Sequence, residues 1–225
     1  EFDGVFVDEA QDMGPNTLRL LSQMAKPAEG DEALERPMML FYDNAQNIYD
    51  RCTPNWKKMG LQMIGRSTVM EESFRSTKPN TEFALNLLNK LSPIADEPDY
   101  KELETRHLIE RQIINNAEWW SVRYNQIDGP LPEMRHFHTK RDEVAGIGKH
   151  LVKLFTEEAV QPKDVVIVSS RNRYLQDFEN RLSPILTEIG VSPRYIERRA
   201  TAGDEKTLVL CTVHSFKGFD AEIVI

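Results

Sequence analysis

The sequence predicts an α/β fold in which parallel strands are covered by helices. Short apolar runs such as Val5–Val7 and Val165–Val168 have the composition of buried strands. Between them lie stretches whose apolar residues recur at helical spacing. The two kinds of segment alternate along the chain, which is typical of a parallel sheet with helices on its faces.

The first part of the chain contains three predicted strands and two predicted helices. Leu18, Leu21 and Met24 lie at helical spacing, and Pro15 is tolerated in a first helical turn. The predicted strands are residues 2–8, 38–42 and 68–70, and the predicted helices are residues 15–25 and 80–91.

The middle of the chain, residues 92–132, is predicted to be its least regular part, because four prolines punctuate it. Alternation then resumes, and Gly190 is a good stop for the helix before it. The predicted helices are residues 140–155 and 172–189, and the predicted strands are residues 134–137, 165–168, 195–196, 208–210 and 223–225. Strand patterns at both ends predict that the chain is an excerpt of a longer polypeptide.

Composition limits the classes of function. The chain has 225 residues and a net charge of −8, so bulk electrostatics does not favour nucleic acid, and such a partner needs a local basic track. The late arginines and lysines, including Arg171, are interpreted as solvated helix faces. Cys52 and Cys211 lie far apart and form no metal pattern, which predicts a reducing, cytoplasmic location. No apolar run reaches membrane-spanning length.

The most informative motif follows the first strand. Asp8 and Glu9 end an apolar run, and Gln11 comes two residues later. A carboxylate at the carboxyl end of a buried strand can hold Mg²⁺, and a second one can activate a water. We therefore interpret Asp8 as a Mg²⁺ ligand, Glu9 as a general base and Gln11 as a sensor of the nucleotide. The alternative is a strand end with solvated acids.

Three further motifs are weaker when taken singly. Residues 42–49 are a polar cluster after the second strand, and residues 72–77 combine an aromatic with an arginine that can reach a phosphate. Residues 211–220 carry hydroxyl, His, Lys and Gly side chains after a buried strand, which suits contact with a sugar-phosphate chain. The alternatives are polar loops at the surface.

Taken together, the four motifs in this order and spacing resemble motifs II, III, IV and V of UvrD/Rep-type superfamily 1 helicases. The resemblance implies two RecA-like domains of the P-loop NTPase class, with residues 1–68 in the first and residues 69–225 in the second. It implies ATP and Mg²⁺ in the cleft between them, and translocation on single-stranded DNA in the 3′ to 5′ direction. Duplex DNA is a further partner that it allows.

The resemblance also implies roles for single residues. Asp8, Glu9, Gln46 and Arg75 match the Mg²⁺ ligand, the catalytic base, the γ-phosphate sensor and an arginine that reaches the γ-phosphate. Gln11, Phe74, Gly218 and Asp220 match nucleotide-site positions, with Phe74 stacked on adenine and Asp220 near the ribose. Tyr49, Thr212 and His214 match positions that face the DNA strand.

The chain also departs from the family pattern. Arg51 stands where many members have a tryptophan, and the large insert before motif V is absent or vestigial. The sequence contains neither a Gly-rich phosphate-binding loop nor motif VI, so this chain by itself is expected not to hydrolyse ATP. The upstream and downstream parts of the same polypeptide are therefore expected partners of this chain.

Two other classes of function stay open. One is a helicase-derived nucleic-acid-binding module without ATPase activity, and the other is an unrelated nucleotide-dependent switch or kinase-type enzyme. Gln46 and Arg75 facing a common cleft with Asp8 would argue against the second. Three further patterns are interpreted without a functional role. Residues 146–150 resemble the tail of a phosphate loop but are predicted to be helix, and Trp119–Trp120 is predicted to pack in the core. The pair His136 and His138 is interpreted as not binding a metal.

Overall fold

The computed structural model describes residues 2–27, 36–42, 65–66, 68, 76–91, 98–197 and 204–225 of the chain. The chain divides into two compact units, Glu1–Glu133 (unit 1) and Met134–Ile225 (unit 2). The predicted domain boundary between residues 68 and 69 falls within unit 1, next to residues outside the described ones, and it stays a prediction.

Unit 1 begins with a parallel strand pair whose connection contains a helix. β1 (Val5–Val7) and β2 (Met38–Leu40) pair in parallel, and α1 (Pro15–Met24) lies between them in sequence. Leu18, on the inner face of α1, is buried in a small cluster with Val7. The predicted order of strand, helix and parallel strand is confirmed here, with shorter strands than expected.

The rest of unit 1 contains two helices and a β-hairpin. They are α2 (Lys78–Leu91), α3 (Pro98–Thr105), β3 (Ile109–Ile114) and β4 (Ala117–Val122). The two strands are antiparallel, with Ile109 opposite Val122. Asn115 and Asn116 form the two-residue turn, and both have a positive φ. Asparagine tolerates that conformation, which suits a tight hairpin turn.

The prediction that residues 92–132 are the least regular part was therefore wrong for residues 98–122, which form α3 and the hairpin, whereas residues 125–132 have no regular structure. Pro98 begins α3, and Pro130 and Pro132 follow the hairpin, so these three prolines do not interrupt the strands; Pro93 lies outside the described residues. Trp120 on β4 is 2% exposed and belongs to a cluster with Leu85 and Ile109, so the predicted core role of this aromatic is confirmed.

Unit 2 is built on a four-stranded parallel sheet. Its strands are β5 (Val165–Ser169), β6 (Ser192–Ile196), β7 (Thr207–Thr212) and β8 (Ile223–Val224), in the spatial order β6-β7-β5-β8. Its helices are α4 (Lys140–Thr156), α5 (Asn172–Thr187) and the single turn α6 (Val213–Phe216). Ser169 lies opposite Thr212, so β5 and β7 end at the same edge of the sheet.

Helices α4 and α5 pack on one face of this sheet and form the larger core. Leu151 from α4 and Leu182 from α5 are buried there with Ile167 and Leu210 from the sheet. The opposite face carries a smaller cluster around Val209. Parallel strands buried on both faces need continuous apolar sequence, which is what the runs in β5 and β7 contain.

One predicted strand of unit 2 is not formed. Residues 134–137 have no regular structure. The ring of Phe137 lies against Gly146 of α4, where an added Cβ would collide with it. The apolar side chain that suggested a strand is thus partly buried on a helix. The α/β class with parallel sheets is confirmed by both units.

Candidate functional site

The acidic motif of unit 1 lies where the sequence placed it, at the carboxyl end of β1. Val7 is buried, Asp8 is exposed and Glu9 is half-buried. The backbone on either side is tied to the end of β2, since Phe41 donates to the Val7 carbonyl at 2.8 Å and accepts from the Ala10 amide at 2.9 Å. Two anchors at one neighbouring residue hold this turn in place.

Glu9 adopts a left-handed backbone conformation, with φ 52° and ψ 42°. For a residue with a Cβ this conformation costs about 1–2 kcal/mol. Such strain persists where surrounding contacts hold it, and it is found often at functional sites. A single 3₁₀ turn, Ala10–Asp12, follows, and the Asp12 amide donates to the Glu9 carbonyl at 2.9 Å.

Hydrogen bonds orient both acids. The Glu9 amide donates to Oδ1 of Asp8 at 2.9 Å. The Nε2 amide of Gln11 donates to Oε2 of Glu9 at 2.5 Å, and Gln11 is only 5% exposed. The exposed carboxylate of Asp8 and the half-buried, hydrogen-bonded carboxylate of Glu9 therefore occupy different environments although they are adjacent in sequence.

Asp8 fits the coordination habits of Mg²⁺. This ion keeps several waters and is commonly held by one or two carboxylates together with substrate phosphates. Among the described residues, no group of three or more His, Cys, Asp or Glu side chains forms a metal cage. A single exposed carboxylate at a strand end is compatible with a metal–nucleotide site and does not suit a structural metal.

A second candidate site lies at the carboxyl edge of the unit 2 sheet. Thr212 ends β7, and its hydroxyl accepts from the Ser215 amide at 3.1 Å, capping α6. The Ser215 hydroxyl donates to the Glu197 carbonyl at 3.0 Å. Thr212 is buried, so its hydroxyl shapes the turn, whereas the neighbouring His214 is exposed.

The other predicted residues of this turn follow it directly. Gly218 has a φ of 83° with open space around it, which is a conformation that glycine adopts without strain. Asp220 is exposed. Thr212, His214, Gly218 and Asp220 thus lie in the connection that runs from the end of β7 through α6 towards β8, and Asp8, Glu9 and Gln11 lie in the turn after β1.

A cavity of about 750 Å³ opens beside the end of β5 in unit 2. Besides His136, His138 and the carboxylate of Glu143, its lining includes three basic side chains, Arg135, Lys140 and Arg171. The ring of Tyr174 lies beneath two of these, with Lys140 Nζ 3.8 Å from the ring centroid. Clustered cations at the end of a parallel strand suit an anionic ligand.

This cluster was not predicted, because the late basic residues were interpreted as solvated helix faces. Ser170 and Arg171 directly follow the buried strand β5, and a polar sequence after an apolar run is the same signal that identified Asp8. His136 and His138 are exposed, with ring centroids 5.4 Å apart, and they belong to no larger metal-binding group within the described ranges.

Four predicted site residues, Gln46, Tyr49, Phe74 and Arg75, lie outside the described residues. Residues 146–150, which were predicted to be helical, lie inside α4. A Cβ added at Gly148 would come within 3.0 Å of Ile185 Cδ1, so this glycine serves close helix packing.

Comparisons of this chain with protein-family models, with curated proteins and with solved structures gave no match. Within the described ranges, no helix combines the length and apolar character needed to cross a membrane.

Proposed function

We propose that this chain forms the motif II to motif V region of an ATP-dependent superfamily 1 DNA helicase or translocase. The observation that carries the proposal is the turn after β1, in which exposed Asp8 and half-buried Glu9 are oriented by hydrogen bonds. The parallel sheets of both units are compatible with two RecA-like domains, divided near residues 68 and 69.

In this proposal the two acids have separate roles. Asp8 would hold Mg²⁺, which supplies charge neutralisation at the phosphates when ATP is bound. Glu9 would accept a proton from the attacking water, a task that requires an ionised carboxylate held within hydrogen-bond reach. The hydrogen bond from buried Gln11 to Glu9 and the exposure of Asp8 favour this assignment of roles over the reverse one.

The carboxyl edge of the unit 2 sheet is the proposed nucleic-acid interface. His214 is exposed there, and the basic cavity lies beside the neighbouring strand end. A local cluster of cations is what a chain with a net charge of −8 needs in order to bind a phosphate backbone. Single-stranded DNA is the proposed partner, and duplex DNA a further one.

The proposal requires a phosphate-binding loop and an arginine finger from polypeptide outside this sequence, because neither motif is present in it. The remaining roles, Gln46 and Arg75 at the γ-phosphate, Phe74 on adenine, Gly218 and Asp220 at the nucleotide, and Tyr49 on DNA, stay proposals that rest on the resemblance.

The test is the ATPase activity of the complete polypeptide with and without single-stranded DNA. Glu9→Gln is expected to lower kcat by about 10²–10⁴-fold, the usual contribution of a general base, while nucleotide binding is retained. Glu188→Gln, at the exposed end of α5, is the matched control and should behave like the wild type. Full activity of Glu9→Gln would exclude Glu9 as the base.

A binding module without ATPase activity is the second candidate, and the basic cavity of unit 2 is the observation that favours it. The same experiment separates the two. A complete polypeptide that binds single-stranded DNA but hydrolyses no ATP would be such a module. Hydrolysis that DNA stimulates and Glu9→Gln abolishes would support the motor.

A further inference from the structure

Gln11 is buried directly behind the proposed base, and its contact suggests a different role from the one that the resemblance implied. We infer that Gln11 is a positioning residue that holds the carboxylate of Glu9, and that it does not contact the nucleotide. This inference rests on the proposed function, because it assigns Gln11 a part in the same reaction.

The direction of the hydrogen bond follows from the chemistry of the two groups. An ionised carboxylate only accepts hydrogen bonds, so the NH₂ side of the Gln11 amide must face Glu9. The Gln11 Nε2 amide lies within hydrogen-bond distance of Glu9 Oε2, and hydrogen bonds to a charged acceptor are among the stronger ones. Breaking this contact would leave a buried amide without that acceptor, which is costly.

Burial separates Gln11 from the surface where a nucleotide would bind. Asp8 is exposed, whereas only 5% of Gln11 is accessible. The 3₁₀ turn holds the glutamine backbone, since Asp12 donates to the Glu9 carbonyl and Met13 donates to the Ala10 carbonyl at 3.1 Å. The amide is therefore fixed from the interior, with its donor directed at the base.

A base in this position needs such a restraint. The Glu9 side chain is long, and its left-handed backbone directs it differently from a glutamate in a regular strand or helix. A misplacement of about 1 Å at a reacting group can cost roughly 100-fold in rate. The buried donor of Gln11, which favours one orientation of the carboxylate, would provide this precision.

The first experiment is a double-variant cycle in the complete polypeptide. Gln11→Met preserves the approximate volume and burial of the side chain but removes the donor. It should lower kcat for ATP by about 100-fold and leave the Kd for nucleotide within about twofold. Gln11→Glu, which is nearly isosteric but repels Glu9 when ionised, should lower kcat as well. Gln126→Met, at an exposed glutamine, is the matched control and should be unchanged.

The cycle distinguishes positioning from other roles. If Gln11 acts through Glu9, Gln11→Met should lower kcat no further in a Glu9→Gln background. Additive losses, or a weaker Kd for nucleotide with unchanged kcat, would overturn the inference while leaving the proposed function intact. Absence of ATPase activity in the wild type, or full activity of Glu9→Gln, would instead overturn the proposed function and this inference with it.

The second experiment does not depend on catalysis. In the 225-residue chain, the side-chain amide protons of Gln11 can be followed by NMR. Glu9→Ala should shift these two resonances, and the side-chain amide of Gln126, which donates to the Arg123 carbonyl, should stay in place. Unchanged Gln11 resonances would show that the contact is absent in solution and would refute the inference.

Discussion

Each of the two units is stabilised internally by a different kind of interaction. In unit 2, eleven described apolar residues form one buried cluster beneath α4 and α5. In the α2–hairpin part of unit 1, the corresponding cluster has four members, and polar side chains reinforce it. Asn86, on α2, donates to the Trp120 carbonyl at 2.9 Å and accepts from the Trp120 amide at 2.8 Å.

Two further side chains, those of Glu82 and Asn125, reinforce the contact of Asn86 with Trp120, and the three together are called the polar clamp of unit 1. Glu82, one turn before Asn86 on α2, accepts from the Val122 amide at 3.1 Å. Asn125 is fully buried and donates to the Ser76 carbonyl at 2.7 Å. The outer edge of β4 thus obtains its hydrogen bonds from side chains, where a larger sheet would supply another strand.

Like the α2–hairpin part of unit 1, the β1–β2 pair is covered by fewer apolar side chains than the unit 2 sheet. Phe6 on β1 is 76% exposed, and Met39 opposite it on β2 is also exposed. The strand end that carries Asp8 and Glu9 therefore depends on local hydrogen bonds more than on a surrounding core. Apolar packing does not depend on the direction of single contacts, whereas the polar clamp loses a hydrogen bond when one donor or acceptor atom is removed. This difference can be tested.

The largest expected effect is in the unit 2 core. Leu182→Ala removes a fully buried side chain from α5 and should lower the free energy of unfolding by about 2–5 kcal/mol. Urea denaturation followed by circular dichroism measures this change. Leu131→Ala, at a leucine that is 81% exposed, is the control and should change stability by less than about 0.5 kcal/mol. Equal effects of the two variants would contradict a close-packed core.

Asn86→Ala tests the clamp of unit 1. It leaves the Trp120 amide and carbonyl without their side-chain partner, which should cost about 1–3 kcal/mol. Tryptophan fluorescence during urea denaturation is a suitable probe, because Trp120 lies at the contact. Asn80→Ala, at an exposed asparagine on the same helix, should be close to neutral. A neutral Asn86→Ala would show that apolar packing alone holds the hairpin.

This contrast explains how much of the fold could be predicted from the sequence. Helices α4 and α5 and strands β5 and β7 were predicted because their apolar periodicity reflects burial in a common core. The hairpin was not predicted, because the adjacent Ile113 and Ile114 break the alternation expected of a strand, and both are exposed. The side chains of the polar clamp give no periodic signal either.

The candidate site was predictable to a similar extent. The position of Asp8 and Glu9 after an apolar run indicated the strand end correctly, although only Val7 of β1 is fully buried. The contact between Gln11 and Glu9 was not predictable, since it depends on the left-handed backbone at Glu9, which side-chain type does not encode. The basic cavity was missed because it gathers residues from three separate segments of unit 2.

The smallest expected effect concerns Cys211, which lies on the face of the unit 2 sheet opposite α4 and α5. This thiol is fully buried beside Val166 and Val209, and burial raises its pKa to about 11. In a Cys52→Ser background, iodoacetamide at pH 8 should therefore fail to alkylate the folded chain, because the thiolate is the reactive form. Addition of urea should restore alkylation, which mass spectrometry can follow. Since the folded-state pKa exceeds the ordinary value of 9.0, the stability associated with the neutral thiol is present below pH 9 and is lost as the pH rises through about 11. Native alkylation as fast as in urea would show that this face opens to solvent, and the difference between the units would then be confined to the α4–α5 core.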